Sequence, residues 1–294
     1  MRWLLLSLVL MIPACTPKPP AMEVKIDPAL KTLVPADTVL MAGARVEALL
    51  KTPLFQQYLA DLRVPPTTEF TRRTGIDPRK DLWELLFISN GHDGVLLGRG
   101  KFPDQELLKP QGAEQRFVYK GYSMLGDERA AILFVSPSAA ALGAVPALHS
   151  LVDQSAKSKG PPEPLAARLK DIPPDSQLWA AYTGGTVKLP FEDNSNLANL
   201  NRLLIGAQSA TAYVDLSIGL KATGETTYSS GPAAQQAHDT LQALVSFGRL
   251  SLRSGQEDLA AALDRIQVTQ DQQRVKVTVD LPQETAARLL KTFR

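Results

Sequence analysis

The stretch VPADTVLMAG at residues 34–43 decides the fold, because its pattern returns as IPPDSQLWAA at residues 172–181. The two segments share four identities at a constant offset of 138 residues: Pro35 with Pro173, Asp37 with Asp175, Leu40 with Leu178 and Ala42 with Ala180. Each half also ends on a strand pattern, a proline and a helix pattern, AAILFVSPSAAA and VKVTVDLPQETAA. Similarity at a fixed offset predicts an internal duplication, with chance as the alternative.

Apolar alternation and turn residues predict paired strands in both halves, as at ELLFIS (84–89), GVLLGRG (94–100), LKATGETTY (220–228) and RVKVTVDL (274–281). The sequence Asn90-Gly91 predicts a tight hairpin turn. Hairpins followed by single helices indicate the α+β class, with antiparallel sheet covered by helices. We therefore predict two similar tandem domains, residues 34–160 and 161–294, which meet near Pro161 in a proline-rich segment.

Helical periodicity is clearest from Pro232 to Gly248, where one apolar stripe indicates a helix that covers a sheet face. The segment SAAALGAVPALHSLVDQSA (138–156) also predicts a helix, interrupted at Pro146. Further predicted helices are 46–62, 67–75, 196–207, 256–263 and 283–293.

The first fifteen residues have the pattern of an export signal. Arg2 is followed by an apolar run of ten residues, 3–12, in which Ser7 is the one polar residue, and the run is too short to span a bilayer. The following Pro13-Ala14-Cys15 resembles a bacterial lipobox, and Cys15 is the only cysteine. We predict a signal peptide at residues 1–14 and lipid attachment at Cys15, with an ordinary cleaved signal and an incidental cysteine as the alternative.

Prolines are dense directly after Cys15, which favours extended chain over helix. We predict that residues 15–33 form a tether between the lipid and the folded body. The predicted location is the bacterial cell envelope, with the anchor in the outer membrane and the body facing the periplasm.

Composition excludes several classes of protein. Hydrophobic residues make up 44% of 294 residues, enough for a sizeable core, and the net charge is only +2. Such a balance disfavours nucleic acid as a partner. The densest basic cluster is Arg72, Arg73, Arg79 and Lys80, which we interpret as a solvated face or a contact for anionic headgroups.

Two short motifs resemble those of an uncharacterised family of bacterial envelope lipoproteins, whose domain of unknown function opens with Leu-Pro-Ala-Asp-Thr. VPADT at residues 34–38 and GIDPRKDL at residues 75–82 match its pattern. The resemblance extends at most from Val34 to Phe134 and implies no activity. From the residues alone, Asp37 suits a turn and Asp81 suits an N-cap or turn that accepts backbone N–H groups.

No catalytic, cofactor-binding or metal-ligating set is predicted. His92, His149 and His238 are isolated, and neither a zinc motif nor a serine nucleophile elbow is present. Gly98-Arg99-Gly100-Lys101 lacks phosphate-loop spacing and is interpreted as strand.

The expected function is a non-enzymatic, lipid-anchored binding or assembly module. Its partners would be the membrane, through Cys15, and either a protein or a small apolar ligand between the halves. The alternatives are an envelope hydrolase with a dispersed site and a passive spacer.

Overall fold

The computed structural model describes residues 23–59, 71, 76–102, 110, 114–127, 129–185 and 206–292. In this part of the chain twelve strands form one sheet in which all paired neighbours are antiparallel, so the predicted α+β class is confirmed. The strands are β1 (Leu40–Ala44), β2 (Leu82–Ser89), β3 (Gly94–Gly100), β4 (Gln115–Tyr119), β5 (Tyr122–Gly126), β6 (Ala131–Ser136), β7 (Ala139–Gly143), β8 (Leu178–Tyr182), β9 (Ala207–Asp215), β10 (Leu220–Tyr228), β11 (Ile266–Asp271) and β12 (Arg274–Leu281).

The helices flank this sheet. They are α1 (Pro28–Lys31), α2 (Val46–Leu50), α3 (Val145–Ser155), α4 (Glu163–Leu169), α5 (Gly231–Leu250), α6 (Glu257–Leu263) and α7 (Gln283–Thr292), with a π-helical segment at Phe55–Leu59. None of the helices in the described ranges is both long and apolar enough to cross a membrane.

The predicted duplication is visible in the strand order. From the centre outwards, the first half runs β1-β2-β3-β7-β6 and continues to β5 and β4, while the second half runs β8-β9-β10-β12-β11. The first five strands of each half therefore follow the same path. Where the first half inserts the β4–β5 hairpin, the second half inserts helices α5 and α6.

The two halves join through β1 and β8, which pair at the centre of the sheet. In this pair Ala42 lies opposite Ala180, its own counterpart at the offset of 138 residues. An antiparallel pair of equivalent strands relates the halves by a local two-fold axis. Gly43 lies opposite Trp179, and the space above Gly43 is filled by the indole ring. One continuous sheet contains strands of both predicted domains. The domain boundary near Pro161 stays a prediction.

Alternation along the strands gives the sheet two faces. We call the side of Met41, Leu86 and Leu97 face A, and the side of Leu40 and Leu96 face B. Face A of the first half carries the largest core, where α1, α3 and α4 contribute Leu30, Leu148, Leu151, Leu165 and Leu169.

The segment before β1 belongs to this core, which corrects the predicted tether. Val24, Leu30 and Leu33 are buried against face A, and the Val24 N–H donates to the Leu169 carbonyl. Residues 23–33 therefore belong to the folded body, because the apolar side chains of Val24, Leu30 and Leu33 pack into this core. Residues 15–22 lie outside the described residues.

Helix α5 packs on face B of the second half, as its apolar stripe predicts. Ala234, Ala237 and Leu241 contact the face B side chains of β10 and β12. Ser230 caps the helix, because its hydroxyl accepts from the Ala233 N–H. Towards the C-terminal end of the helix several apolar side chains are exposed, and Phe247 is 70% accessible.

Two helix predictions are wrong in part. Ala139–Gly143 is strand β7 and only Val145–Ser155 is helical. Alanines favour helix locally, but these small side chains fit between β3 and β6, and tertiary packing overrides propensity. The predicted helix 46–62 breaks after Leu50, next to Pro53. The predicted helix 67–75, apart from Thr71, and residues 196–205 lie outside the described residues.

Candidate functional site

A cavity of about 480 Å³ lies on face B of the second half. It extends over β8, β9, β10 and β12 and ends against Leu241 of α5. Its lining within the described ranges includes no charged side chain: Leu40, Ala180, Ala181, Tyr182, Ala210, Thr211, Ala212, Tyr213, Val214, Ala222, Thr223, Gly224, Thr226, Tyr228, Leu241, Val275, Val277 and Val279. The volume falls within the range of about 300–1,000 Å³ typical of ligand pockets.

The floor of this cavity is made of very small residues. Ala180, Ala210, Ala212 and Ala222 surround Gly224, and a methyl group placed on Gly224 would meet no atom within 4 Å. Ala212 is exposed although it lies in the middle of a twelve-stranded sheet. The space above the floor therefore exists because the side chains on these strands are small, and not because the backbone is irregular.

A second cavity, of about 330 Å³, lies on face B of the first half. It extends over β2, β3, β7 and β6 and is also lined, as far as the structure describes the chain, by uncharged residues: Ile76, Pro78, Leu82, Leu85, Leu96, Gly98, Phe102, Ile132, Ala140, Ala141 and Leu142. Leu142 is 38% accessible on this otherwise apolar face.

The pairing registers show that the two cavities occupy equivalent positions. Ala42 pairs with Phe87, and its counterpart Ala180 pairs with Ala212, so Phe87 and Ala212 correspond. The next pairs outwards relate Leu96 to Gly224. By the same register Leu85 corresponds to Ala210, Gly98 to Thr226, Ala140 to Val275 and Leu142 to Val277.

Three of these exchanges make room in the second half, whereas two others, Gly98 to Thr226 and Ala140 to Val275, act in the opposite direction. Leu85, Phe87 and Leu96 are large, whereas their counterparts Ala210, Ala212 and Gly224 are small. Phe87 packs against the cluster that contains Leu40 and Tyr182, and the tip of its ring lies over Gly94 of β3. The first half thus partly fills the trough that the second half leaves open.

The ends of the two cavities also differ in polarity. Tyr182 and Tyr228 line the second-half cavity near α5, and the Tyr182 hydroxyl donates to the Gly185 carbonyl. Burial raises the pKa of Tyr228 above its ordinary value, so the hydroxyl stays neutral. This end therefore carries two tyrosine side chains and no charge among the described lining residues.

The first-half cavity ends at a charged turn. Pro78 lines the cavity and is followed by Arg79 and Lys80, both exposed. Asp81 holds the turn, because its carboxylate accepts from the Asp77 N–H at 2.7 Å. The predicted turn role of Asp81 is confirmed in this contact. Lys101 joins the turn through its N–H, which donates to the Asp81 carbonyl at 2.7 Å.

A glycine makes this junction possible. Gly100 ends β3 opposite Leu82, and a methyl group at Gly100 would overlap the Asp81 carbonyl. The glycines around Arg99 therefore serve close strand packing, as the interpretation of this segment as strand requires.

On face A, a charged cluster fastens the N-terminal segment to the sheet. The Asp27 N–H donates to both carboxylate oxygens of Glu84 at 3.2 Å, and the Arg99 guanidinium lies 3.1 Å from the Asp27 carboxylate. Burial raises the pKa of Glu84 to about 7. The Arg99 guanidinium also lies 5.2 Å from the centre of the Trp83 ring. No sequence motif singles out this cluster.

The remaining sequence-predicted residues are scattered. His92 is exposed in the β2–β3 turn, whose Asn90 side chain accepts from the His92 and Asp93 N–H groups. His149 stacks on Tyr119 at 3.7 Å, and His238 contacts Asp239 at 3.0 Å. None of the three lines either cavity.

The VPADT motif lies beside the β2–β3 turn. Asp37 accepts from the Asn90 amide at 3.4 Å, beside a polar cavity of about 70 Å³ that is too small for more than a few water molecules. The described residues hold no metal-ligating cluster of three or more acidic, histidine or cysteine side chains. Cys15 lies outside the described residues.

Comparison with solved structures supports the fold. The structure of crystal form III of TP0453 superposes with a TM-score of 0.51 at 10% identity, covering 92% of this chain and 98% of that chain. Crystal form I of the same protein gives a TM-score of 0.47 over 92% of this chain and 98% of that chain, also at 10% identity. No known family model matches the sequence, and no curated protein matches it. The resemblance to the envelope family stays a prediction.

Proposed function

We propose that this chain is a non-enzymatic binding module of the bacterial envelope that holds an apolar ligand, such as the acyl part of a lipid, in the second-half cavity. The single observation that carries the proposal is the trough over Gly224, open and apolar in the middle of a sheet. A sheet face that binds no ligand is normally filled by its own side chains, because atoms that line a void lose dispersion contacts.

The chemistry of the lining supports an uncharged ligand. Burying an acyl chain contributes about 0.8 kcal/mol per methylene group, and no described side chain of the cavity would hold an ion. The proposed lipid anchor at Cys15 would keep the cavity close to the membrane from which such a ligand comes. An envelope hydrolase that uses a histidine or a carboxylate would need a site elsewhere, since neither is among the described residues that line the two cavities.

Native mass spectrometry of the full-length chain, extracted from its host's membranes in mild detergent, tests this proposal. We expect a chain that begins at acylated Cys15 and carries one additional apolar molecule. The double variant Ala212→Phe/Gly224→Leu installs the first-half side chains in the trough and should lose that molecule.

Thr278→Leu is the matched control, because it adds apolar volume to face A of β12, opposite the face that carries the cavity. It should keep the bound molecule. A wild-type chain without bound apolar mass, or equal retention in the double variant, would contradict the proposal. An unacylated chain would overturn the anchor alone.

A further inference from the structure

Two large apolar side chains of helix α5 are exposed beside the second-half cavity. Leu244 and Phe247, which we call the α5 pair, are 45% and 70% accessible and lie about one turn apart. We propose that the α5 pair is a second wall of this site, and that the ligand is a lipid with two acyl chains. One chain lies in the trough and the other lies along the α5 pair. The inference rests on the proposed function and specifies the class of its ligand.

The opposite flank of α5 shows which way the α5 pair faces. The Gln242 side-chain amide donates to the Val268 carbonyl of β11, the edge strand of the sheet. The Arg249 guanidinium donates to the Leu263 carbonyl, just before β11. With 3.6 residues per turn, Gln242 and Arg249 lie on one flank of the helix and the α5 pair lies on the other. The α5 pair is therefore turned away from the sheet edge, towards the strands that carry the trough.

The α5 pair is also continuous with the cavity. Leu241, which lines the cavity, precedes Leu244 by three residues on the same side of the helix. The helix begins over Tyr228 at one end of the cavity and runs towards the start of β11, which pairs with Val279. Val279 also lines the cavity. Helix α5 therefore borders the trough along its length, and a chain that passes Leu241 meets the α5 pair.

The two flanks of α5 differ in polarity. The flank towards the sheet edge is polar throughout: Gln235, Asp239, Gln242, Ser246 and Arg249. The flank towards the trough carries no charge: Gln236, Thr240, Ala243, Leu244 and Phe247. Water gains freedom when two apolar surfaces cover each other, so an uncharged flank beside an apolar cavity favours a second apolar chain.

Two chains on one lipid fit this arrangement better than one chain. A single acyl chain lies either in the trough or along the α5 pair, because the Leu241 side chain stands between them. A lipid with two chains covers both surfaces and loses its translational and rotational freedom only once. The second chain therefore adds affinity without a second cost of association.

The test uses the chain from residue 15 with Cys15→Ser, stripped of lipid, and native mass spectrometry with two added lipids. Dioleoylphosphatidylcholine and oleoyl-lysophosphatidylcholine share one head and one kind of chain and differ only in the number of chains. We expect the two-chain lipid to bind about ten-fold more tightly, because its second chain covers the α5 pair. The α5 variant Leu244→Gln/Phe247→Ser should abolish this preference and leave the affinity for the one-chain lipid unchanged. Ser246→Gln, exposed on the opposite flank, is the control and should keep the preference.

The outcomes separate this inference from the proposed function. Equal affinity for the two lipids, or a preference that survives in the α5 variant, would overturn the second chain and leave the proposed function in place. Absence of binding by both lipids would contradict the proposed function itself. Sedimentation with vesicles of the two-chain lipid examines a bilayer as the other occupant. Loss of vesicle binding in the α5 variant, with its lipid preference intact, would assign the α5 pair to a membrane surface and overturn the inference.

Discussion

The two halves of the sheet share a strand path but use face B differently. In the first half, Phe87 and Leu96 occupy face B near the centre of the sheet, and the cavity there has a volume of about 330 Å³. In the second half, Ala212 and Gly224 occupy the same positions, and the cavity has a volume of about 480 Å³. A duplicated backbone thus carries two cavities of different volume, because the backbone fixes where a cavity can form and the side chains fix its size.

The largest expected effect on stability comes from removing the Phe87 ring, which occupies face B of the first half. Phe87→Ala should lower the free energy of unfolding by about 2–4 kcal/mol, since the ring packs over Gly94 and against the Leu40 and Tyr182 cluster. Ala212→Phe should change it by no more than about 0.5 kcal/mol, because its side chain enters open space. Urea unfolding of both variants measures the contrast. Equal losses would mean that the trough over β9 is not open.

A second contrast concerns two strand glycines. Gly43→Ala should destabilise the chain by about 1–3 kcal/mol, because the added methyl group overlaps the Trp179 ring, which is only 4% exposed. Gly224→Ala should be neutral or stabilising by up to about 1 kcal/mol, since its methyl group meets nothing. Thermal and urea unfolding report both values. A neutral Gly43→Ala would show that the seam is loosely packed.

A smaller effect distinguishes the halves on face A. Glu84 corresponds to Ser209, so only the first half carries a partly buried carboxyl at this position. Its pKa in the folded state, about 7, lies above the ordinary value of 4.5. The folded protein therefore binds this proton more tightly than the unfolded chain. The resulting stabilisation is fully present below pH 4.5 and is lost as the pH rises through 7.

Urea midpoints between pH 4 and pH 8 check this dependence. Glu84→Gln keeps the acceptor for the Asp27 N–H and should flatten the decline between about pH 4.5 and pH 7. Ser209→Ala, at the equivalent position, should leave the wild-type slope in place. An unchanged slope in Glu84→Gln would assign the pH dependence to another group.

Much of the architecture follows from local signals in the sequence. Asn90-Gly91 and the alternating strands specify hairpins, and the repeated VPADT and IPPDS segments indicate two halves. The pairing of Ala42 with Ala180 was not predictable, because no local pattern states which strands of two repeats meet. The Ala139–Gly143 strand was missed for a related reason, since alanine favours a helix until neighbouring strands require small side chains.

The cavities could not be predicted from the sequence for a different reason. Ala212 and Gly224 are small residues that occur in many contexts, and they line a cavity only because no side chain from elsewhere fills the space above them. Glu84 is similar, because its raised pKa comes from burial beside Asp27, 57 residues away. The prediction of a small apolar ligand or a protein as partner stays a prediction, and the two face B cavities lie on the separate halves, not between them as the sequence analysis expects.

A crystal of the chain from residue 15 grown with a terminally brominated long-chain fatty acid tests the central claim most directly, because anomalous scattering locates the bromine directly. We predict a bromine site over Gly224 of β10. Absence of bromine from this cavity, or bromine bound only at the exposed end of α5 around Phe247, would contradict the account.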